Sequence, residues 1–418
     1  TLTSNSSKSP PFSFRYFLIL PVYTNESEKG FMPIFLFLNK LEFYKNSLRY
    51  NRGVFMGREY SLDYLKFFAM FFVVCIHTHP FKETDSLWVD GNIINFIIDT
   101  FARFAVPFFF ITSGYLFTKK ITNVANPPQY YKRYISKLLK LYISWSFFYL
   151  LYDIVTISLE SGIKNIPVGK SLSDYFLSVW SLKAILYYSV GGGIPSGYQM
   201  WYLIALVWSI TLLYLFSKIN KINLLLIISL ILNLVGLFGQ SYSSFFELPI
   251  KTRDALFYGL IYTSLGAFFA LNFDTIRSRL KFSSKVYFFL FVTFSILQLL
   301  ERYYTNQILG GNSGDYFVAT LFLTSFLFLF CLNSPTLGKN SLITKIGKDS
   351  VGVYVTHLFF LVSINKIINF LDVEAIMNTI AFQILLTPVV FLVSYFAYTS
   401  LLSVKKTFSF KKRESVGM

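Results

Sequence analysis

Three ionisable side chains in one apolar stretch, Asp63, Lys66 and His77, are the first residues of this chain whose types and spacing suggest chemistry. Lys66 and His77 are eleven positions apart, so in a helix they share one face, roughly 16 Å apart along its axis. Ionisable groups inside a membrane-spanning helix are costly and indicate function by default. A histidine can take a proton from a hydroxyl near neutral pH, and a nearby cation can stabilise the oxyanion that develops. These residue types predict acyl transfer to an alcohol, with Lys66, Arg103 or Arg253 as the cation.

Each residue of this first stretch also has an interpretation without chemistry. Asp63 and Lys66, one turn apart, could mark only the membrane boundary, with the lysine reaching to the interface. His77 could satisfy a hydrogen bond between helices. The spacing alone does not decide between these alternatives.

A second apolar stretch carries another charged pair. Asp99 and Arg103 are four positions apart and can pair on one helix face. Pro107 removes a backbone hydrogen bond and predicts a kink. Ser113 and Gly114 are small enough to let a neighbouring helix approach closely. The alternatives are a purely structural ion pair for Arg103 and packing alone for Ser113 and Gly114.

A basic stretch follows, in which Lys132, Arg133 and Lys137 recur at helical spacing. Several donors placed together can bind a phosphate-rich ligand on the cytoplasmic side of a membrane. The ordinary excess of positive charge in cytoplasmic loops explains the same cluster. Both interpretations stay open.

Four further positions are candidates for an acceptor or supporting role. Trp201 begins an apolar stretch, where it could belong to an interfacial aromatic belt or stack on a sugar ring. Arg253 stands just before the apolar stretch 255–271. Tyr354 and His357 lie one turn apart, and we expect His357 in the cytoplasmic half of its helix, where packing and chemistry are both open.

The composition predicts an all-α membrane protein. Hydrophobic residues make up 54% of the chain and charged residues only 14%, which no soluble domain of this length matches. The net charge of +17 indicates anionic membrane lipid as a partner rather than nucleic acid. Three histidines and two cysteines without suitable spacing predict no metal site. Phosphate-cradling glycine loops and dinucleotide fingerprints are absent from the sequence, so we expect no tightly bound cofactor.

The apolar stretches predict a polytopic bundle of about ten transmembrane helices. The predicted spans are 61–80, 93–117, 138–159, 200–217, 222–239, 255–271, 284–301, 316–333, 351–371 and 378–402. One set of alternate loops, with the tail, holds 20 Lys and Arg, and the other set holds 8. Because cytoplasmic loops are rich in Lys and Arg, this alternation predicts that both termini are cytoplasmic.

The domain organisation follows from the same pattern. Residues 1–55 contain only apolar pieces too short to span a membrane, and we expect them to lie upstream of a true start at Met56. Residues 56–404 form the transmembrane domain. Residues 405–418 form a basic cytoplasmic tail.

From about Arg58 to Leu402 the chain resembles the membrane-bound acyltransferase family 3, integral-membrane proteins that O-acylate extracytoplasmic glycans and related molecules. The motif that carries the resemblance is a basic residue, ten intervening positions and a histidine, here Lys66 and His77 in LDYLKFFAMFFVVCIH. A second motif is RFAVPFFFITSGYLF from Arg103, and a third is the basic pair Arg133 and Lys137. Two departures are lysines at positions 66 and 137, where the family more often has arginine; both keep the positive charge.

The resemblance implies a bacterial inner-membrane protein with acyl-CoA, in the first place acetyl-CoA, as co-substrate. Lys132, Arg133 and Lys137 would hold the CoA phosphates on the cytoplasmic side. His77 would deprotonate the acceptor hydroxyl or pass the acyl group on, while Lys66 and Arg103 offset negative charge. A glycan or lipid-linked sugar would be the acceptor, with the supporting residues Asp63, Asp99, Ser113, Trp201, Arg253, Tyr354 and His357.

A different class of function fits several of the same features. Buried charges and a kinked second helix also suit a transporter or exporter of a polysaccharide or lipid-linked sugar. Incorporation of an acyl group into a product would separate the enzyme from the exporter.

Overall fold

The described part of the chain is almost entirely helical. This computed structural model describes residues 59–82, 84, 90–190 and 192–416, and none of these residues lies in a strand. The α-helices in chain order are α1 Tyr60–Thr78, α2 Gly91–Ala102, α3 Ala105–Ile121, α4 Pro127–Ile163, α5 Val168–Trp180, α6 Leu182–Val190, α7 Trp201–Lys218, α8 Ile222–Gly236, α9 Leu260–Leu280, α10 Ser284–Arg302, α11 Val318–Asn333, α12 Leu342–Lys348, α13 Ser350–Phe370 and α14 Ile380–Val416. The predicted all-α class is confirmed. The proposed extension, residues 1–55, lies outside the described residues.

The transmembrane pattern also agrees with the prediction. Among the described residues, nine helices are long and apolar enough to cross a membrane, and Val318–Asn333 is a shorter apolar helix at the place of the eighth predicted span, 316–333. The protein is therefore a multi-pass membrane protein built as a helical bundle. The last helix, α14, continues through the predicted tail as far as Val416.

The second predicted span is broken where Pro107 requires it. Helix α2 ends at Ala102 and α3 begins at Ala105, so the break falls at Arg103 and Phe104. Proline has no N–H to donate to the carbonyl of residue 103, and its ring clashes with that carbonyl. The break leaves the Arg103 side chain at the joint between two helices, where it can reach neighbouring helices.

Helices α3 and α9 cross with their backbones in contact. A Cβ atom on Gly114 would lie 2.1 Å from the carbonyl oxygen of Thr263, and one on Gly266 would lie 2.0 Å from that of Ile111. Two glycines, one on each helix, therefore permit the approach. The predicted close packing at Gly114 is confirmed.

We expect Gly266→Ala to destabilise the protein by about 1–3 kcal/mol, because the added methyl group meets backbone that cannot move aside. Thermal unfolding of the purified protein in detergent measures the effect. Gly162→Ala is the matched control, since a Cβ atom there meets nothing within 4 Å and alanine favours a helix. Equal unfolding temperatures for the two variants would contradict the expectation.

Helix α12 determines the depth at which α13 starts. It packs along the first half of α1, where a Cβ atom on Gly347 would lie 1.9 Å from the carbonyl oxygen of Asp63. Since α12 occupies that level, α13 begins farther along α1 and carries His357 to the end of α1, with its ring centroid 5.2 Å from that of His77. His357 therefore lies at the same level of the bundle as His77, and its position in the cytoplasmic half of its helix stays a prediction.

Helix α4 is longer than its predicted span. Its 37 residues correspond to about 55 Å, well beyond the thickness of a bilayer core. Glu160 near its end pairs with Lys366 of α13, and Tyr152 shares a hydrogen bond of 3.0 Å with Ser363 of α13. The two helices therefore contact each other as far as Glu160 and Lys366.

Candidate active site

A cavity of about 210 Å³ lies between α1, α3, α4, α7 and α13. His77 of α1 contributes to its wall, as do Ser113 of α3 and Tyr134 and Leu138 of α4. Most of the remaining wall is aliphatic or aromatic. An apolar cavity with a few polar groups converging on it is the usual form of a small-molecule site.

His77 stands in the last turn of α1, which ends because His79 adopts a left-handed conformation with φ 45°. The His77 ring makes an edge contact with Tyr198, with ring centroids 5.2 Å apart. The Tyr198 hydroxyl oxygen lies 3.0 Å from His77 Nδ1, within hydrogen-bond distance. One ring nitrogen of His77 is therefore held by a hydroxyl group of the protein.

The second imidazole, that of His357, is fully buried. Its Nδ1 lies 3.0 Å and 2.8 Å from the carbonyl oxygens of Val353 and Tyr354. Because a carbonyl oxygen only accepts, Nδ1 carries the proton and Nε2 holds the lone pair. Within the described chain, that Nε2 has no hydrogen-bond partner.

A charged cluster lies near His77, centred on Asp99. This carboxylate is 2.6 Å from both Arg103 and Arg302. Arg103 also contacts Asp315 at 2.6 Å, and Arg253 lies 3.4 Å from Asp315. The predicted Asp99–Arg103 pair is confirmed, as one contact of a cluster in which three guanidinium groups face two carboxylates. The guanidinium groups of Arg103 and Arg253 are close enough to act electrostatically on the His77 ring.

Trp201 lines the cavity but offers little free ring surface. Only 7% of the residue is exposed. The Arg253 guanidinium lies 5.3 Å from its ring centroid, and the Tyr258 ring stacks at 5.9 Å. A sugar ring stacked on Trp201 would have to displace one of these neighbours.

Lys66 and Asp63 lie elsewhere. They pair with each other at 3.2 Å, and both side chains are largely buried. Lys66 is not part of the cavity wall, and the straight helix α1 keeps it roughly 16 Å from His77 along the axis. Arg103 therefore lies on the side of His77, whereas Lys66 lies far from it.

Two other predicted residues line the cavity. Ser113 lies beside the hydroxyl groups of Tyr134 and Tyr202. Tyr354 donates its hydroxyl to the carbonyl oxygen of Gln199. Both therefore form the wall of the space that His77 faces.

The basic cluster occupies an adjacent face of α4. Lys132, Arg133 and Lys137 are exposed, and no acidic side chain in the described ranges pairs with them. Tyr134 and Leu138, the residues that follow Arg133 and Lys137, line the cavity. One helix therefore presents free cations and the cavity wall side by side.

Sequence reasoning missed several residues that the fold brings to this region, namely Tyr149, Tyr198, Gln199, Arg302 and Asp315. Arg302 and Asp315 were assigned to a connecting loop, although Arg302 ends α10 and is buried. Tyr198 falls in the glycine-rich run GGGIPSGYQ. The signal that could have found it is an aromatic hydroxyl directly before a span, in a segment too rich in glycine to be an ordinary loop.

Comparison with curated proteins finds three relatives that are named as racemases. An amino-acid racemase of Enterococcus faecalis is 26% identical over 328 residues, which are 76% of this chain and 43% of that protein. Another from the same organism is 29% identical over 237 residues, 52% of this chain and 29% of the relative. A serine/alanine racemase of Enterococcus gallinarum is 27% identical over 224 residues, 49% and 28% of the two chains. The chain spans less than half the length of these curated relatives. No solved structure matches.

The family model gives the broader match. A model described as an acyltransferase domain covers residues 59–399, which includes the cavity, His77, the charged cluster and the basic face of α4. The match runs from the first described residue into α14, the last helix. The chain therefore belongs to acyltransferase family 3.

Proposed function

We propose that this protein is an O-acyltransferase that moves an acyl group, acetyl in the simplest case, from acyl-CoA to a hydroxyl of a glycan or lipid-linked sugar. The observation that carries the proposal is the position of His77. Its imidazole, held by Tyr198 at 3.0 Å, forms part of the wall of an apolar cavity. The exposed cations of α4 are on the face beside that wall.

The donor would bind along α4. The exposed Arg133 and Lys137, with Lys132, would hold the phosphates of CoA, because phosphate binding needs several donors at once. Tyr134, Leu138 and Leu141 continue along the cavity wall, a path of about 10 Å on the helix axis. The thioester at the end of the CoA arm would follow this wall towards His77.

The acceptor would approach His77 from the side of the charged cluster. Its hydroxyl gives a proton to the imidazole as its oxygen attacks the thioester carbonyl carbon. The new C–O bond forms, the C–S bond breaks, and the departing sulfur takes the proton from the imidazolium. Arg103 and Arg253 would offset the negative charge that develops on the carbonyl oxygen.

The orientation belongs to the same proposal. The loops rich in Lys and Arg would be cytoplasmic, so that both termini and the basic face of α4 lie inside and His77 lies towards the outside. In a bacterial inner membrane this arrangement would take an acyl group from the cytoplasm to an extracytoplasmic acceptor.

Inverted membrane vesicles that expose the cytoplasmic face test the proposal. Supplied with acetyl-labelled acetyl-CoA, they are expected to release CoA and to gain label in extractable glycan or lipid-linked sugar in equal amounts. Vesicles from cells without the protein are the control. Passage of a glycan across these membranes without incorporation of label would overturn the proposal in favour of an exporter.

A further inference from the structure

The segment 192–200, which joins α6 to α7, is built to hold Tyr198. At its start there is room only for glycine. A Cβ atom on Gly193 would lie 2.6 Å from the carbonyl oxygen of Gly197 and 2.7 Å from the Cα atom of Tyr198. The backbone at Gly193 therefore packs directly against the backbone of Gly197 and Tyr198.

The middle and the end of the segment are attached to buried side chains. Gly197 packs against the Tyr149 ring, and a Cβ atom on Gly197 would lie only 2.9 Å from an atom of that ring. Tyr149 is fully buried and accepts a hydrogen bond of 2.8 Å from the side chain of Gln199. The Gln199 carbonyl oxygen accepts the Tyr354 hydroxyl. The residues on both sides of Tyr198 are thus fixed to α4 and α13.

A further contact reaches the segment from α5. The buried Asp153 of α4 accepts a hydrogen bond of 2.7 Å from the Tyr175 hydroxyl and lies 3.5 Å from the backbone nitrogen of Ser196. Burial and the bond to Asp153 raise the pKa of Tyr175, so its phenol keeps the proton that it donates. Rigid support of this kind is typical of groups that orient an active-site side chain.

The tautomer of His77 decides whether it can act as a base. If Tyr198 donates to Nδ1, the proton of the neutral ring sits on Nε2, and no lone pair faces a substrate. Nε2 of His357 has no hydrogen-bond partner in the described structure, so it does not accept a hydrogen bond from His77. With the proton on Nδ1 instead, the Tyr198 hydroxyl oxygen accepts it, and the lone pair on Nε2 of His77 is left to take a proton from a substrate.

We propose that Tyr198 is a positioning residue, whose hydroxyl oxygen accepts the Nδ1–H of His77 and leaves Nε2 as the base nitrogen. Tyr198 does for His77 what an orienting partner does in other histidine-dependent sites. The role in catalysis rests on the proposed function, whereas the tautomer is a property of the protein alone.

Two measurements on Tyr198→Phe test the proposal. The chain has only three histidines, so ¹⁵N spectra of the histidine-labelled protein in nanodiscs can be assigned by comparison with His77→Gln and His79→Asn. We expect His77 to carry its proton on Nδ1 in the wild type and to shift towards Nε2–H in the variant. In the transfer assay we expect kcat to fall about 10- to 100-fold, with KM for acyl-CoA unchanged.

Tyr187→Phe is the matched control, because Tyr187 and Tyr198 are both 40% exposed and lie close together in the chain. It is expected to change neither the tautomer nor kcat. Gly193→Ala, which pushes on the Tyr198 backbone, is expected to act in the same direction as Tyr198→Phe. Its control is Gly169→Ala, where a Cβ atom meets nothing within 4 Å.

The outcomes separate this proposal from the proposed function. An Nε2–H tautomer in the wild type, or no change in Tyr198→Phe, overturns the positioning role even if acyl transfer is found. The expected tautomer and its shift in Tyr198→Phe uphold the positioning role even if labelled acetyl-CoA gives no acylated product.

Discussion

Replacing His77 with alanine is expected to lower acyl transfer by about 10²- to 10⁴-fold, the contribution of a positioned general base. The reason is that none of the other described side chains that line the cavity can take a proton near neutral pH, since they are apolar, amide or hydroxyl-bearing. His357 is close, but its ring is not part of that wall. The variant is expected to fold and insert normally, because His77 stands at the partly exposed end of α1.

The measurement is the rate of acetyl incorporation by vesicles that contain equal amounts of protein. His79→Asn is the matched control: His79 is exposed and has a left-handed backbone that asparagine tolerates. It is expected to keep nearly full activity. Transfer by His77→Ala at a rate near that of the wild type would remove His77 from the mechanism.

Arg103→Gln is expected to have the second largest effect, on both stability and activity. Among the described residues, the loss of this guanidinium leaves Asp99 paired with Arg302 alone, and Asp315 paired with Arg253 alone, at 3.4 Å. Leaving a buried carboxylate without its main partner costs about 3–5 kcal/mol. The variant also removes one of the two guanidinium groups that would offset the charge on the carbonyl oxygen in the proposed reaction, so we expect turnover per folded molecule to fall at least about 100-fold.

Arg302→Gln separates the structural from the chemical part of this effect. Arg302 contacts the same carboxylate of Asp99 at the same distance of 2.6 Å, and its side chain is 9% exposed against 13% for Arg103. A similar loss of stability is expected, but turnover per folded molecule should stay within a few-fold of the wild type. Thermal unfolding and transfer rates of both variants provide the comparison. Equal turnover in both would mean that Arg103 acts only as a structural ion pair.

Local patterns predicted what depends on neighbours in the chain. The apolar stretches predicted the helices because a backbone in lipid must satisfy its own hydrogen bonds within a helix. The four-residue spacing of Asp99 and Arg103 predicted their contact because such residues are neighbours on any helix. Pro107 predicted a break because its missing N–H acts within one turn.

Contacts that depend on the relative depth of two helices were not predicted from such local patterns. The eleven-residue spacing predicted that Lys66 and His77 share a face of α1, but a shared face does not bring residues three turns apart together. The contact between His357 and His77 was not predicted, because it depends on α12 lying beside the first half of α1, and hydropathy carries no information about such lateral packing.

The sequence by itself determined that this protein is a helical membrane bundle, where its apolar helices lie, and that His77 and Arg103 are charged or titratable groups placed among apolar residues. Only the tertiary structure decided that His77 meets Tyr198 and His357, and that Asp99 is shared by two arginines. The physical reason is that hydropathy and helical periodicity act along one helix. Contacts between helices depend on close packing at sites such as Gly114 and Gly347, where the absence of a side chain sets how deeply each neighbour sits.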